Sequence, residues 1–231
     1  MADLAPVLSP RLRLIADVVP PCDCAADIGT DHAYLPVYLI RQNRCRNAIA
    51  TDLRPGPLKR AEATLCRFHT EGKIALRLGS GAEILHPGEA DVIVVAGMGG
   101  LVMGEMLRTS ADVFAAAKQI IFQPMTAVSE LRQAISENGF SITDEYLAKE
   151  DTTLYHILVV ASMPESVPYS EEELVFGRKL MENRPEHFDE YILHMRQKYQ
   201  TVLKGSALSH TADAAVRHDE AMRLLNYLSH I

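Results

Sequence analysis

The sequence predicts an α/β fold: a seven-stranded, mostly parallel sheet with an antiparallel last strand, followed by an α-helical hairpin. Three observations predict it. Five short apolar runs alternate with helical patterns over residues 24–138, two strand-like runs adjoin at 141–161, and apolar residues recur at helical spacing from Phe188 onward. Strands that read as continuous apolar runs between helices are buried on both faces, as in a parallel sheet.

The elements follow in order. A helix fits Pro10–Val18, with Ser9 as N-cap, Pro10 at the first helical position, and Leu12, Ile15 and Val19 on one face; Pro20-Pro21 ends it. Strands are expected at 24–28, 47–51, 74–78, 91–96 and 119–122, and helices at 35–42, 57–69, 100–107 and 126–138. Residues 81–85 have room for one turn. Strands at 141–147 and 153–161, joined by Lys149-Glu150-Asp151, form an antiparallel pair that closes the sheet. Residues 162–170, with two prolines and three serines, read as a linker. Beyond it, Phe188, Ile192, Met195, Tyr199 and Val202 recur at spacings of four and three, a coiled-coil-like seam interrupted at Gly205-Ser206. A second helix near 213–228 places Met222, Leu225 and Leu228 on one side, completing a hairpin. The division is therefore an α/β domain at 1–161, the linker at 162–170, and a helical domain at 171–231.

Composition narrows the class. The 231 residues, 48% hydrophobic and 23% charged, suit a globular chain with a real core. The longest apolar run, 92–104, is 13 residues with four glycines, too short for the roughly 30 Å hydrocarbon core of a bilayer. The first 20 residues hold Asp3, Asp17 and three prolines instead of a basic start and an apolar stretch, so a cytoplasmic location without membrane contact is expected. Cys22, Cys24, Cys45 and Cys66 make no paired metal-site spacing, and no metal is expected. The net charge of −7 argues against a protein that coats nucleic acid. Its distribution is uneven, however. Residues 1–80 hold 11 Lys and Arg against 8 Asp and Glu, and the remainder hold 12 against 22. Any anionic partner would meet the first third, where Arg11, Arg13, Arg41, Arg44, Arg46, Arg54, Lys59 and Arg60 offer a positive face.

The chemistry concentrates where strands turn into helices. Open α/β sheets bind ligands outside the carboxyl ends of their strands, and Asp-Ile-Gly-Thr-Asp-His-Ala-Tyr-Leu-Pro at 27–36 occupies that position after the first strand. Gly29 admits a ligand close to the backbone, and Asp27 accepts hydrogen bonds from a cationic or hydroxyl group. A dinucleotide fingerprint would need two further glycines where Asp31 and its neighbours stand, and carboxylates there repel pyrophosphate. Asp52, 23 residues after Gly29, suits the hydroxyls of a ribose. A ribose and a cation without pyrophosphate point to S-adenosylmethionine. Gly79-Ser80-Gly81-Ala82, after the third strand, offers backbone amides to an adenine edge, and Ala96-Gly-Met-Gly-Gly100, after the fourth, leaves open space at the mouth.

These motifs, with Gln-Pro at 123–124 and Leu-Ser-Pro-Arg-Leu at 8–12, resemble the bacterial tRNA (adenine(22)-N1)-methyltransferase family over about residues 6–161. The resemblance implies a Rossmann-like class I methyltransferase domain with a coiled-coil-like C-terminal domain, acting on an adenine of tRNA. It implies cofactor contacts at Asp27, Gly29, Asp52 with Leu53, Gly79, Ser80, Gly81, Ala82 and Gly97, a catalytic carboxylate at Asp31, and tRNA contacts at Arg11, with Arg13, Met98 and Gly99 beside it. Ser80 departs from the family's usual Gly-Asp-Gly and removes a carboxylate from the adenine edge. Adenine N1 needs no base to expose its lone pair, but its methylated product is cationic; a carboxylate accepting from the N6 amino group orients N1 and offsets that charge. Competing readings give Asp31 a helix-capping role, His32 a structural hydrogen bond and Met98 a core position. At the level of the whole protein, the alternatives are a methyltransferase of a small molecule or protein, and a non-catalytic S-adenosylmethionine- or RNA-binding protein. A monomer or weak dimer is expected.

Overall fold

The computed structural model describes residues 5–207 and 211–231. Residues 1–4, with the Asp3 of the leader argument, and 208–210, between the two expected C-terminal helices, lie outside the described residues.

The α/β part runs α1 (Pro10–Val18), β1 (Cys22–Ile28), α2 (Tyr34–Arg41), β2 (Cys45–Asp52), α3 (Pro55–Phe68), β3 (Ile74–Leu78), β4 (Val92–Gly99), α4 (Gly100–Thr109), α5 (Ala111–Ala115), β5 (Gln119–Thr126), α6 (Val128–Glu137), β6 (Ser141–Glu150) and β7 (Thr153–Ala161). The strands form one sheet in the order β3-β2-β1-β4-β5-β7-β6, with β7 antiparallel to both neighbours. The chain order reverses between β1 and β4, the switch point at which α/β sheets open a crevice.

Successive strand residues face opposite sides, which explains why these strands read as unbroken apolar runs. Ala25, Val92 and Val94 pack with Ile15 of α1, Leu39 of α2 and Leu65 of α3. Their neighbours Ala26, Ile93 and Val95 pack with Met103 of α4, Phe114 of α5 and Leu131 of α6. Both faces are covered.

A third core belongs to the C-terminal helices α7 (Glu171–Phe176), α8 (Arg178–Asn183), α9 (Phe188–Ser206) and α10 (Ala212–Leu228). Ser206 Oγ lies 3.1 Å from His218 Nδ1, and Arg196 Nη2 donates to the Leu228 carbonyl at 2.7 Å, so α9 and α10 run antiparallel. Phe188, Ile192, Met195 and Tyr199 are buried as the seam requires, but they pack with Phe176, Leu180 and Leu147 of β6 as well as with α10. The seam thus serves a mixed core rather than a two-helix coiled coil.

Arg132 of α6 ties this core to the sheet. It is fully buried, donates from Nε to Glu145 Oε1 at 2.8 Å and from Nη1 to the Leu174 and Val175 carbonyls at 2.7 and 3.1 Å, and lies 3.4 Å from His156 Nδ1. Burial, with Arg132 nearby, pushes the His156 pKa down to about 3.

Several elements differ from the sequence reading. Ser9 is the N-cap of α1, as expected, and its carbonyl accepts from the Arg13 N–H at 2.8 Å, but its hydroxyl makes no capping bond. Met222 is exposed because the packed face of α10 follows Ala214, Ala221, Leu224 and Leu228, about 100° away around the helix. Gly205 lies inside the last turn of α9 and does not interrupt it. Pairing with β7 carries β6 through Lys149 and Glu150, leaving the turn to Asp151 and Thr152.

Gly100 marks how closely α4 approaches the loop after β5. A Cβ there would overlap the Ala127 carbonyl oxygen and stand 2.8 Å from that of Thr126, both backbone atoms. Gly100→Ala should therefore lower stability by about 1–3 kcal/mol through overpacking, read as a fall in Tm of several degrees. Gly205→Ala, where a Cβ meets open space, should leave Tm at or slightly above the parent value.

Candidate active site

The carboxyl ends of β1, β2, β3 and β4 meet at the switch point. After Ile28 the chain turns through Gly29 at φ +79°, and the Gly29 and Thr30 N–H groups both donate to the Thr51 carbonyl of β2, at 2.8 and 2.7 Å. The Gly79 N–H donates to the Asp52 carbonyl at 3.0 Å, fixing the end of β3 beside that of β2. Thr30 Oγ1 accepts from the Ala33 N–H at 3.1 Å, and Ala33, in the left-handed region, is the N-cap of α2. Asp31 therefore does not cap this helix. Its carboxylate instead accepts from Arg60 of α3, with Nε at 3.1 Å and Nη2 closer, and lies 3.3 Å from His32 Nε2. The His32 ring stacks on Tyr34, centroids 5.1 Å apart and planes within 6°.

Two cavities open on this rim and share Gly29. The first, about 320 Å³, is lined by Arg11, Asp27, Asp31, His32, Ala96 and Gly97. The second, about 460 Å³, is lined by Asp52, Leu53, Met98, Met106 and the whole Gly79–Ala82 turn. Met98 of the second cavity reaches Gly29 with the end of its side chain: a Cβ on Gly29 would overlap its Cε atom. Of the residues singled out in the sequence, Asp27, Gly29, Asp31, Gly97 and Arg11 meet at the first cavity, and Asp52, Leu53, Gly79, Ser80, Gly81, Ala82 and Met98 at the second. Gly99 and Arg13 line neither. Arg13 donates to Asp17 from Nε at 3.0 Å and covers the Tyr38 ring.

The carboxylates differ in setting. Burial pushes the Asp27 pKa up to about 6, partly offset by a hydrogen bond with Thr30. The Arg60 guanidinium holds the Asp31 carboxyl below the usual carboxylate range. Asp52 is 8% exposed, and its Oδ1 accepts from the Arg54 N–H at 2.7 Å.

The positive face expected from the first third is largely compensated. Arg13 and Arg44 meet Asp17, Arg46 meets Asp23, Arg54 meets Asp52 and Arg60 meets Asp31. Counting charges along the chain overlooks these pairs, which form across strands, turns and helices. Arg11 also faces a carboxylate, Glu150 Oε1 at 3.8 Å from its Nε, but its side-chain hydrogen bonds go to neutral groups. Its Nη1 donates to Gln123 Oε1 at 2.7 Å and its guanidinium lies 5.0 Å from the Tyr155 ring centre. Its backbone N–H donates to Glu150 at 3.0 Å. Gln123, Tyr155 and Glu150 were missed as site-building residues; the Gln-Pro pair at a strand end was the available signal. Among the described residues, no group of three His, Cys, Asp or Glu side chains is placed to hold a metal ion, and no helix is long and apolar enough to cross a membrane.

Comparison with known proteins adds independent findings. The family described as "Methyltransferase domain" matches residues 8–158. The Bacillus subtilis (strain 168) tRNA (adenine(22)-N(1))-methyltransferase is 32% identical over 170 residues, covering 74% of this chain and 71% of that protein. The crystal structure of the B. subtilis M1A22 tRNA methyltransferase TrmK superposes with a TM-score of 0.86 at 26% identity, covering 97% of this chain and 98% of that one. M. capricolum TrmK, solved in complex with the natural cofactor product S-adenosyl-homocysteine, gives a TM-score of 0.84 at 25% identity, covering 96% and 98%.

Proposed function

The chain belongs to the methyltransferase-domain family and, within it, to the tRNA (adenine(22)-N1)-methyltransferases, and on that premise we propose that it transfers the methyl group of S-adenosylmethionine to N1 of adenine 22 in tRNA. The observation that carries this reading is the pair of cavities that share Gly29, with buried Asp52 at one and half-buried Asp27 at the other. An elongated ligand with a ribose towards one end and a cationic amino acid at the other suits one carboxylate in each cavity about a glycine at positive φ. We place the activity in the cytoplasm, in a monomer or weak dimer.

S-adenosylmethionine, when bound, supplies an electrophilic methyl group on a sulfonium. Asp52 accepts from ribose hydroxyls, while Leu53 and the Gly79–Ala82 turn enclose the adenine, with the Ser80 hydroxyl taking the place of the family's usual carboxylate. Asp27 accepts from the cationic amino group, and Gly29 and Gly97 let the backbone approach. On the substrate side, Asp31 accepts from the target N6 amino group, orients N1 and faces the positive charge that develops on the ring. Arg60 keeps Asp31 ionised for that role. Arg11 and Met98 border the target base and its strand, with Gly99 behind them, and Arg13 serves the outer tRNA surface. Because displacement at a methyl group is in line, positioning and charge stabilisation supply the catalysis.

The Asp27 pKa gives a pH dependence with a definite sign. A carboxyl with a pKa near 6 is neutral below that pH and ionised above it, and a cationic ligand favours the ionised form. Affinity for S-adenosylmethionine should therefore fall as pH drops below 6, by up to about tenfold per unit. Asp27→Asn should bind weakly at pH 8 and show a flattened profile between pH 5 and 8 by calorimetry. The function itself is tested by transfer of labelled methyl groups to total tRNA. Label in tRNA is the expected result; label confined to protein or small molecules would refute the reading.

A further inference from the structure

The end of β4 poses a hydrogen-bonding problem that the sequence solves with one side chain. Pairing with β5 runs Ala96 to Gln123 and then Met98 to Pro124, so Gly97 is left as an unmatched, bulged residue. Pro124 has no N–H to continue the ladder. The Gly97 N–H donates instead to Gln123 Oε1 at 3.1 Å, the same oxygen that accepts from Arg11 Nη1 at 2.7 Å. Gln123 Nε2 donates to the Pro124 carbonyl at 2.9 Å. With two donors facing the oxygen and a carbonyl facing the nitrogen, the orientation of the amide is determined. Gln123 is fully buried, where a carboxamide is costly unless its bonds are made. An apolar side chain would fill the space but leave Arg11 and the bulge without this shared acceptor.

We infer that Gln123 is a positioning residue for methyl transfer: it holds the Arg11 guanidinium and the Gly97 bulge in one arrangement at the rim of the first cavity, so that Arg11 meets an anionic oxygen of the tRNA strand carrying the target base. The Tyr155 ring and Glu150 support Arg11 from the other side, but among the described residues Gln123 alone bonds both Arg11 and the β4 bulge. The inference rests on the proposed tRNA reaction.

A double-mutant cycle tests it. Gln123→Met keeps the volume and removes the acceptor; tRNA KM should rise about tenfold. Arg11→Ala should raise tRNA KM at least as much. If Gln123 acts through Arg11, Gln123→Met adds no further loss in the Arg11→Ala background. Losses that multiply in the double variant, or an unchanged KM in Gln123→Met, would overturn the inference. Should Gln123→Met fail to fold, Gln123→Asn, which keeps the amide but withdraws it from Arg11 and Gly97, carries the test: a rise in tRNA KM supports the inference and KM at the parent value overturns it. Parent protein that methylates no tRNA would instead overturn the underlying function, which keeps the two failures distinct.

Discussion

Asp31→Ala should lower kcat for tRNA methylation by about two orders of magnitude, the scale of removing one group aimed at developing charge, while leaving S-adenosylmethionine affinity unchanged. The selectivity follows from placement. Asp31 turns its carboxylate to Arg60 and His32 on the exposed rim of the first cavity, while the cofactor contacts are assigned to Asp27 of that cavity and to Asp52 and the Gly79–Ala82 turn of the second. The capping role that could have explained an aspartate here is not taken by Asp31: Ala33 is the N-cap of α2, and its N–H donates to Thr30 Oγ1. Stability should accordingly change little. Isothermal titration with S-adenosylmethionine and single-turnover kinetics on tRNA separate the two effects; full activity in Asp31→Ala would remove this residue from the mechanism.

The largest effect on stability is expected at the buried Arg132–Glu145 pair. Arg132→Met leaves the Glu145 carboxylate in the core without its cation, and the Leu174 and Val175 carbonyls without their donor. Removing one partner of such a pair costs about 3–5 kcal/mol, which for a chain of this size is a fall in Tm on the order of 10 °C. Replacing both, as Arg132→Met with Glu145→Leu, should recover part of the loss, because no uncompensated charge remains. Thermal melts of Arg132→Met, Glu145→Leu and the double variant check this. Single variants that melt with the parent protein would show that the pair contributes nothing to joining α6, β6 and α7.

What the sequence revealed follows from which forces act locally. The bounds of α1, β3 and β7 coincide with the expected ones because apolar patterning and the flanking turn residues lie within each segment. Helices α5, α7 and α8, of five or six residues, escaped detection because so few residues cannot display a 3.6-residue period. Strand β5 continues through Gln123 and Pro124 to Thr126, past its expected end at Phe122 and into the first residue of the expected helix, because the β4 partners that extend it are distant in sequence. The motifs after β1, β2 and β3 were legible because glycines and carboxylates at strand ends are local signals. The partners of those groups were not. Arg60 reaches Asp31 from 29 residues away and Gln123 reaches Arg11 from 112, and a buried Arg132 looks, in sequence, like any surface arginine of an amphipathic helix.

The most direct measurement is to incubate a tRNA transcript with the protein and S-adenosylmethionine, map the modified position by reverse transcription, and identify the nucleoside by mass spectrometry. The account predicts a block at adenine 22, because a methyl group on N1 occupies the pairing edge, and 1-methyladenosine as the product. A block elsewhere, N6-methyladenosine, or tRNA without added methyl groups would contradict it.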